Sequence, residues 1–293
     1  MDMLQRPISV RDIIVGSDAL ASGLVTRQML RTKYVKLHRN VYVRAGMPLD
    51  ARDRAMAAYL WSRGKATLVG HSAAAMHGTK WLSVDAPAEL AYPHLPAPPG
   101  ILIHRDALAD DEVCVRGGID CTTPARTAYD MGRRIPGDGA VVHIDALLNA
   151  TRCAIDEVEH IARRYPGARG IRRLRKALEL ADCGAESPQE TRLRLLLVRS
   201  GFPRPVIQIP VAANQWSRKP RRIDMGWPDK MVGVEYDGEQ HFANPDDYAN
   251  DIERLEFLAN SGWTIVRVSS RQLRYERPAI VRRVARALGG QYV

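Results

Sequence analysis

The stretch Arg221–His241, RRIDMGWPDKMVGVEYDGEQH, decides how the C-terminal half folds. Two apolar, strand-like runs flank Pro228 and Asp229, and each carries acids. Asp224 follows Arg221, Arg222 and Ile223, while Met231, Val232 and Val234 lead into Glu235, Tyr236 and Asp237 before Gly238 supplies a turn. Alternate residues of a strand share a face, so Glu235 and Asp237 point the same way. A hairpin closed around Pro228 and Asp229 brings Asp224 close to Glu235. Together they make an oxygen-rich site suited to a hard cation such as Mg²⁺, which could polarise a phosphodiester and activate water.

The flanks complete an α/β domain. ESPQETRLRLLLVRSGF, from Glu186, predicts an amphipathic helix with Leu193, Leu196 and Leu197 inward and Glu190 near its start. Strands are predicted at 206–211, 221–227 and 231–236, followed by a helix through ERLEFLANSG, a strand WTIVRVS and a basic helix at 278–288. Upstream, residues 140–183 read as helical. Arg163, Arg164, Arg169, Arg172, Arg173 and Arg175 crowd a run that Pro166, Gly167 and Gly170 interrupt, so a loop presenting arginines between two helices is expected. The domain boundary falls between about 170 and 186.

At the other end, Ser17 and Asp18 can cap a short helix, Gly23 breaks it, and Thr26 caps a second, RQMLRTKY, that exposes Arg27, Arg31 and Lys33. KLHRNVYVR at 36–44 alternates apolar with basic or polar residues around Asn40, which suits a tight turn. A helix, a turn and a basic second helix followed by a hairpin make the pattern of a winged helix-turn-helix. Further on, DARDRAMAAYL from Asp50 is helical, Thr67–Val69 predicts a short strand, and Ser72 is expected to cap an alanine-rich helix ending at Gly78. His71 and His77 do not share a helix face at metal-binding spacing, so a packing or hydrogen-bonding role is expected. Residues 87–100 form a proline-rich loop between β-like segments at 88–92 and 101–104. The acids from Asp106 to Glu112 should be exposed, a strand should cover 113–121, and Thr123-Pro124 should open the helix ARTAYDMGRR.

Composition is that of a globular protein of 293 residues, long enough for two cores, with 45% hydrophobic and 26% charged residues. No run of about eighteen apolar residues predicts a membrane span, and the N-terminus lacks a secretory pattern, which points to a cytoplasmic home. Cys114, Cys121, Cys153 and Cys183 lack Cys-x-x-Cys spacing and a nearby histidine pair, so buried or idle thiols are expected and neither zinc nor a disulfide framework. The net charge of +10 is blocked along the chain: +8 over residues 1–80, −7 over 81–160, +10 over 161–230 and −1 thereafter. Two basic blocks can each neutralise phosphates, in binding that weakens as salt rises.

The order helix with Glu190, strand with Asp224, strand with Glu235, helix, strand resembles the PD-(D/E)XK nuclease superfamily, most closely its branch related to the very-short-patch-repair endonucleases, over roughly 186–290. EYDGEQH, then Asp251, Arg254, Leu258 and Gly262-Trp263, carry the likeness. It implies Asp224 and Glu235 as metal ligands, Asp237 as a further acid, Glu190 as a supporting acid, and His241 as a general base or phosphate contact. Asp237 stands where the superfamily has its lysine, so transition-state charge would need another cation, Arg222 or Arg267.

The N-terminal half resembles the AbiEi-type antitoxins of type IV toxin-antitoxin systems, through LVTRQMLR at 24–31, RNVYV at 39–43, HSAAAMHG at 71–78, and TTPARTAYD at 122–130 with Asp145 after it. The likeness implies operator binding, with Thr26, Arg27, Gln28, Arg31 and Lys33 on the reading surface. Gln28 could pair with adenine and an arginine with guanine, while Lys36, Arg39 and Arg44 contact phosphates or the minor groove.

The expected architecture is mixed α/β (α+β): a winged-helix domain at 1–80, an α/β extension at 81–175, and a restriction-endonuclease-like α/β domain at 186–293. The function expected is an antitoxin-like transcriptional autorepressor of a toxin-antitoxin operon. It would bind double-stranded operator DNA without a cofactor, and its acidic middle could face a basic toxin partner. The alternatives are a Mg²⁺-dependent DNA endonuclease and a scaffold that binds no DNA. Monomer and dimer both stay open.

Overall fold

The N-terminal signals build a small three-stranded sheet around two short helices. The computed structural model describes residues 13–93, 96–213, 220–238 and 245–290. Strand β1 (Ile13–Val15) leads into α1 (Gly16–Ala21), α2 (Arg27–Thr32), β2 (Tyr34–His38) and β3 (Val41–Arg44), and the strands pair antiparallel in the order β1-β3-β2. Asn40 turns the hairpin with φ 63°, a conformation asparagine tolerates better than most residues. Its Oδ1 accepts the Ser17 N–H at 3.0 Å and its Nδ2 donates to Ser17 Oγ at 2.8 Å, so the turn also holds the start of α1. Helix α2 stops at Thr32, short of the expected Tyr34. Tyr34 and Val35 pair instead with Arg44 and Val43, because aromatic and β-branched residues favour a strand once a sheet partner is at hand.

Helix α3 (Ala51–Trp61) opens on a capping box in which Asp50 accepts from Asp53 N–H and Asp53 accepts from Asp50 N–H. Next come β4 (Thr67–Leu68), α4 (Gly70–Met76), β5 (Ala88–Ala91), β6 (Ile101–His104), β7 (Val113–Arg116), β8 (Ile119–Thr122) and α5 (Pro124–Arg134). These strands form a five-stranded sheet ordered β6-β5-β4-β8-β7. Leu68, Leu90, Ile101, Ile119 and Cys121 pack from it against Ala55, Ala58, Ala73 and Met76.

Three expectations change here. The strand read at 113–121 is a hairpin, since Gly117 and Gly118 both take positive φ (59° and 79°) and close a two-residue turn. Ser72 caps nothing; it is buried inside α4, where its hydroxyl accepts the Glu89 N–H at 2.8 Å. The acidic run is not all exposed, because Glu112 is fully buried against Arg126, Arg164 and Tyr165.

Helices α6 (Asp138–Thr151), α7 (Ile155–Arg164), α8 (Ile171–Leu180) and α9 (Pro188–Arg199) follow, then β9 (Val206–Val211), β10 (Arg221–Trp227), β11 (Val232–Asp237), α10 (Pro245–Asn260), β12 (Thr264–Ser269), α11 (Ser270–Tyr275) and α12 (Arg277–Ala287). The chain forms two compact units: Met1–Pro136 with Ala150–Leu178, and Gly137–Asn149 with Glu179–Val293. Most of α6, from the span read as the extension 81–175, therefore lies in the second unit. Asp145 supplies the physical reason: its Oδ2 accepts from Arg194 Nη2 at 2.7 Å and Thr191 Oγ1 at 2.9 Å on α9, and all three residues are about 1% exposed.

The second unit is built on a four-stranded sheet, β12-β11-β10-β9, in which only β11 and β12 run parallel. One core joins Leu193 and Leu197 of α9 and Ile280 and Val284 of α12 to Met225, Val234, Val266 and Val268. A second joins Phe257 and Leu258 of α10 to Ile209, Val211, Ile223 and Trp263. A sheet covered by helices on both faces leaves its polar side chains few exits, and this fixes where the acids go.

Candidate nucleic-acid interface and acid–arginine site

The winged helix displays its cations outward. Thr26 is the N-cap of α2, its Oγ1 accepting the Met29 N–H at 3.1 Å. Val25 and Ile14 are buried beneath the helix, with Met29 and Leu30 packed against them, and this turns Arg27, Gln28 and Arg31 to solvent. Lys33, Lys36, Arg39 and Arg44 are exposed as well. Among the described residues, no acid lies within ion-pairing distance of any of these six cations. Their charge is thus available to an external anion, on a basic helix followed by a basic hairpin.

The arginines around the acids of the second unit are committed internally. Met225 pairs with Val234 in the β10–β11 register, which sets Asp224 beside Glu235. Asp224 Oδ2 accepts the Tyr236 N–H at 2.9 Å. Burial, with Glu190 nearby, pushes the Asp224 carboxyl up to about 6. Glu235 is raised as well, by burial, even though Arg254 grips it. That guanidinium donates through Nη1 to Glu235 Oε2 at 2.8 Å and through Nη2 to Oε1, while Nη2 also reaches the Arg222 carbonyl at 3.1 Å. One strand over, Arg267 bonds Asp237 Oδ2 at 2.6 Å and Asp251 Oδ2 at 2.8 Å. Arg222, the other cation considered for transition-state charge, pairs with Glu186 at 2.7 Å.

Glu190 serves the start of α9. Its Oε2 accepts the Glu186 N–H at 2.9 Å and Gln208 Nε2 at 3.1 Å, and its Oε1 accepts Ser187 Oγ at 2.8 Å. Burial raises its carboxyl too. His241 lies outside the described residues. As placed, these donors do not fit a bare divalent cation. Glu235 spends both oxygens on Arg254, Asp237 is tied to Arg267, and Glu190 is consumed by capping. The residue that linear reading left without a role is Arg254. Its signal was the spacing Asp251-x-x-Arg254, which sets both on one face of α10.

The motifs of the middle segment carry structure. In TTPARTAYD, Thr123 caps α5 by accepting the Arg126 N–H, and Arg126, 2% exposed, binds buried Glu112 and Asp130. In HSAAAMHG, His71 Nδ1 lies 2.7 Å from Glu89 Oε1, and His104 Nε2 lies 2.6 Å from Oε2. Burial opposes ionisation of Glu89, yet those two histidines hold its carboxyl well below the usual range. Asp106, Asp111, Glu112 and Asp130 all meet arginines of their own unit.

Comparison with known proteins gives two family matches. Residues 65–180 match the AbiEi antitoxin C-terminal domain, and residues 211–288 match the family REase_MTES_1575. The winged helix precedes both. Two curated relatives from Mycobacterium tuberculosis, uncharacterized protein MT2308 of strain CDC 1551 / Oshkosh and uncharacterized protein Rv2248 of strain ATCC 25618 / H37Rv, are each 34% identical over 170 residues. That span is 57% of this chain and 61% of either relative. The protein is therefore a mixed α/β chain in which a winged helix and an AbiEi-antitoxin-like segment precede a restriction-endonuclease-like domain. No helix among the described residues is long and apolar enough to cross a membrane.

Proposed function

We propose that this chain, with an AbiEi-antitoxin-like segment followed by a restriction-endonuclease-like domain, is a sequence-specific DNA-binding regulator, an antitoxin-like autorepressor of a toxin-antitoxin operon. The observation that carries this reading is the set of six exposed cations on α2 and the hairpin, none paired with a described acid. Helix α2 reads base edges through Arg27, Gln28 and Arg31, with Thr26 capping its start. Lys33 stands on the same reading surface, and Lys36, Arg39 and Arg44 hold phosphates or enter the minor groove. If about four cations each neutralise a phosphate, log affinity falls with log salt at a slope of roughly −4. DNA binding requires no cofactor, and a toxin is the partner the antitoxin-like segment would take.

A reporter gene behind the chain's own upstream region tests this in cells. Expression of the chain should silence it, and Arg27→Ala with Arg31→Ala should restore it at equal protein level. Silencing that survives the double substitution contradicts the reading.

A second reading, a Mg²⁺-dependent DNA endonuclease, draws on the approach of Asp224 to Glu190 and Glu235. It requires Arg254 to release Glu235 before any cation could be held there.

A further inference from the structure

Cys114 and Cys121 face one another across the β7–β8 hairpin as directly paired residues, with their sulfurs 3.7 Å apart. Both are free thiols. His77, the C-cap of α4, completes the group: one of its ring nitrogens and the two sulfurs all lie within 4.8 Å of one another. Cys121 is fully buried, while Cys114 and His77 are half-buried and leave a path from solvent.

Three features separate this group from a chance thiol pair. The sulfur spacing is that of a tetrahedral metal edge, since two metal–sulfur bonds of about 2.3 Å at the tetrahedral angle set their sulfurs about 3.8 Å apart. It is far from the roughly 2.05 Å of a disulfide. The Thr122 carbonyl lies 2.8 Å from His77 Nε2 and can only accept, so the proton sits on Nε2 and the ring's lone pair on Nδ1. A backbone carbonyl that fixes the tautomer through one ring N–H is common among metal-ligating histidines. Nδ1 itself is buried and has no hydrogen-bond partner among the described residues, which for a lone pair in a protein interior costs free energy unless something binds it.

We propose that His77, Cys114 and Cys121 form a binding site for a thiophilic divalent cation, of which zinc(II) is the type, with three protein ligands and a fourth position open to water. Binding releases the two thiol protons to solvent and leaves the sulfurs as thiolates. Because β7 is the outermost strand of the five-stranded sheet and His77 ends α4, the cation staples that edge to the helix. Linear spacing hid the site, since six residues separate the cysteines and the histidine comes from a different element.

The test uses the full chain, reduced and handled without oxygen, titrated with cobalt(II) and then zinc(II). Cobalt should bind one per chain, with thiolate-to-metal charge-transfer absorption and the visible bands of a tetrahedral site, and zinc should displace it. Zinc should also protect two thiols from alkylation. Cys121→Ala and Cys114→Ser should each abolish the charge-transfer absorption, whereas Cys153→Ser and Cys183→Ser should leave it intact. Wild-type protein with no charge-transfer absorption would overturn the proposal, as would absorption unchanged by the Cys114 and Cys121 substitutions. Should those variants fail to fold, the wild-type stoichiometry and the count of protected thiols still decide. A Cys114–Cys121 disulfide forming in air, with no cobalt bound in the reduced chain, would make the pair a redox couple and refute the metal site.

Discussion

The winged helix and the nuclease-like domain are both rich in arginine, and they use it in opposite ways. In the first, Arg27, Arg31, Arg39 and Arg44 stand in solvent without a described acidic partner. In the second, Arg194, Arg254 and Arg267 are folded onto Asp145, Glu235 and Asp237. An unpaired surface cation adds almost nothing to stability but attracts phosphate over a Debye length. A guanidinium held against a buried carboxylate is unavailable to a ligand, and removing it strands a charge in the interior. Positive charge therefore locates a binding surface only after the internal partners are subtracted.

The contrast can be broken most forcefully at α2. Arg27→Ala with Arg31→Ala should cost about 2–6 kcal/mol of operator affinity, at about 1–3 kcal/mol for each base-reading side chain. Thermal stability should hardly move, since exposed substitutions usually stay within about 0.5 kcal/mol. Fluorescence anisotropy beside a melting curve checks both halves. Arg254→Met should do the reverse, lowering unfolding free energy by roughly 3 kcal/mol as Glu235 loses its partner, with operator affinity per folded molecule unchanged. Urea titrations read that loss.

A third prediction concerns Asp224. A carboxyl raised from its ordinary 3.8 to about 6 penalises the folded state by roughly 3 kcal/mol at neutral pH. The sign follows from proton binding: the folded state holds the proton more tightly, so the penalty is absent below about pH 4 and complete above about pH 6. Asp224→Asn keeps an oxygen for the Tyr236 N–H and removes the charge. It should stabilise the protein by about 1–3 kcal/mol at pH 7 and by nothing at pH 4. Equal urea midpoints at pH 7 would mean that Asp224 is not a buried liability. The smallest effect belongs to the hairpin, where Lys36→Ala or Arg44→Ala should weaken specific and unrelated DNA alike and flatten the salt slope by about 0.9.

Much of this was legible in the chain, and the reasons are local. Thr26 as a cap, Asn40 as a turn, and Thr123-Pro124 at a helix start act over three or four residues, which a linear reading can see. The strands at 206–211 and 221–227 and the convergence of Asp224 with Glu235 followed from alternation and one hairpin. What linear reading missed depends on partners distant in sequence. Arg254 finds Glu235 across 19 residues, Asp145 finds Arg194 across 49, and Glu112 is buried because Arg126 and Tyr165 reach it. Within the acidic run Asp106, Asp110 and Asp111 are exposed as expected and Glu112 alone is an internal counterion, while cysteines judged by spacing met through strand register.

The most direct test is one titration of the purified chain against its own upstream DNA and an unrelated duplex, with and without Mg²⁺, following both mobility and strand length. A selective shift of DNA that stays full length in either buffer, lost in Arg27→Ala with Arg31→Ala, is the predicted result. Mg²⁺-dependent shortening that disappears in Asp224→Ala would contradict it, and would mean that Arg254 yields Glu235 to a metal when DNA is bound.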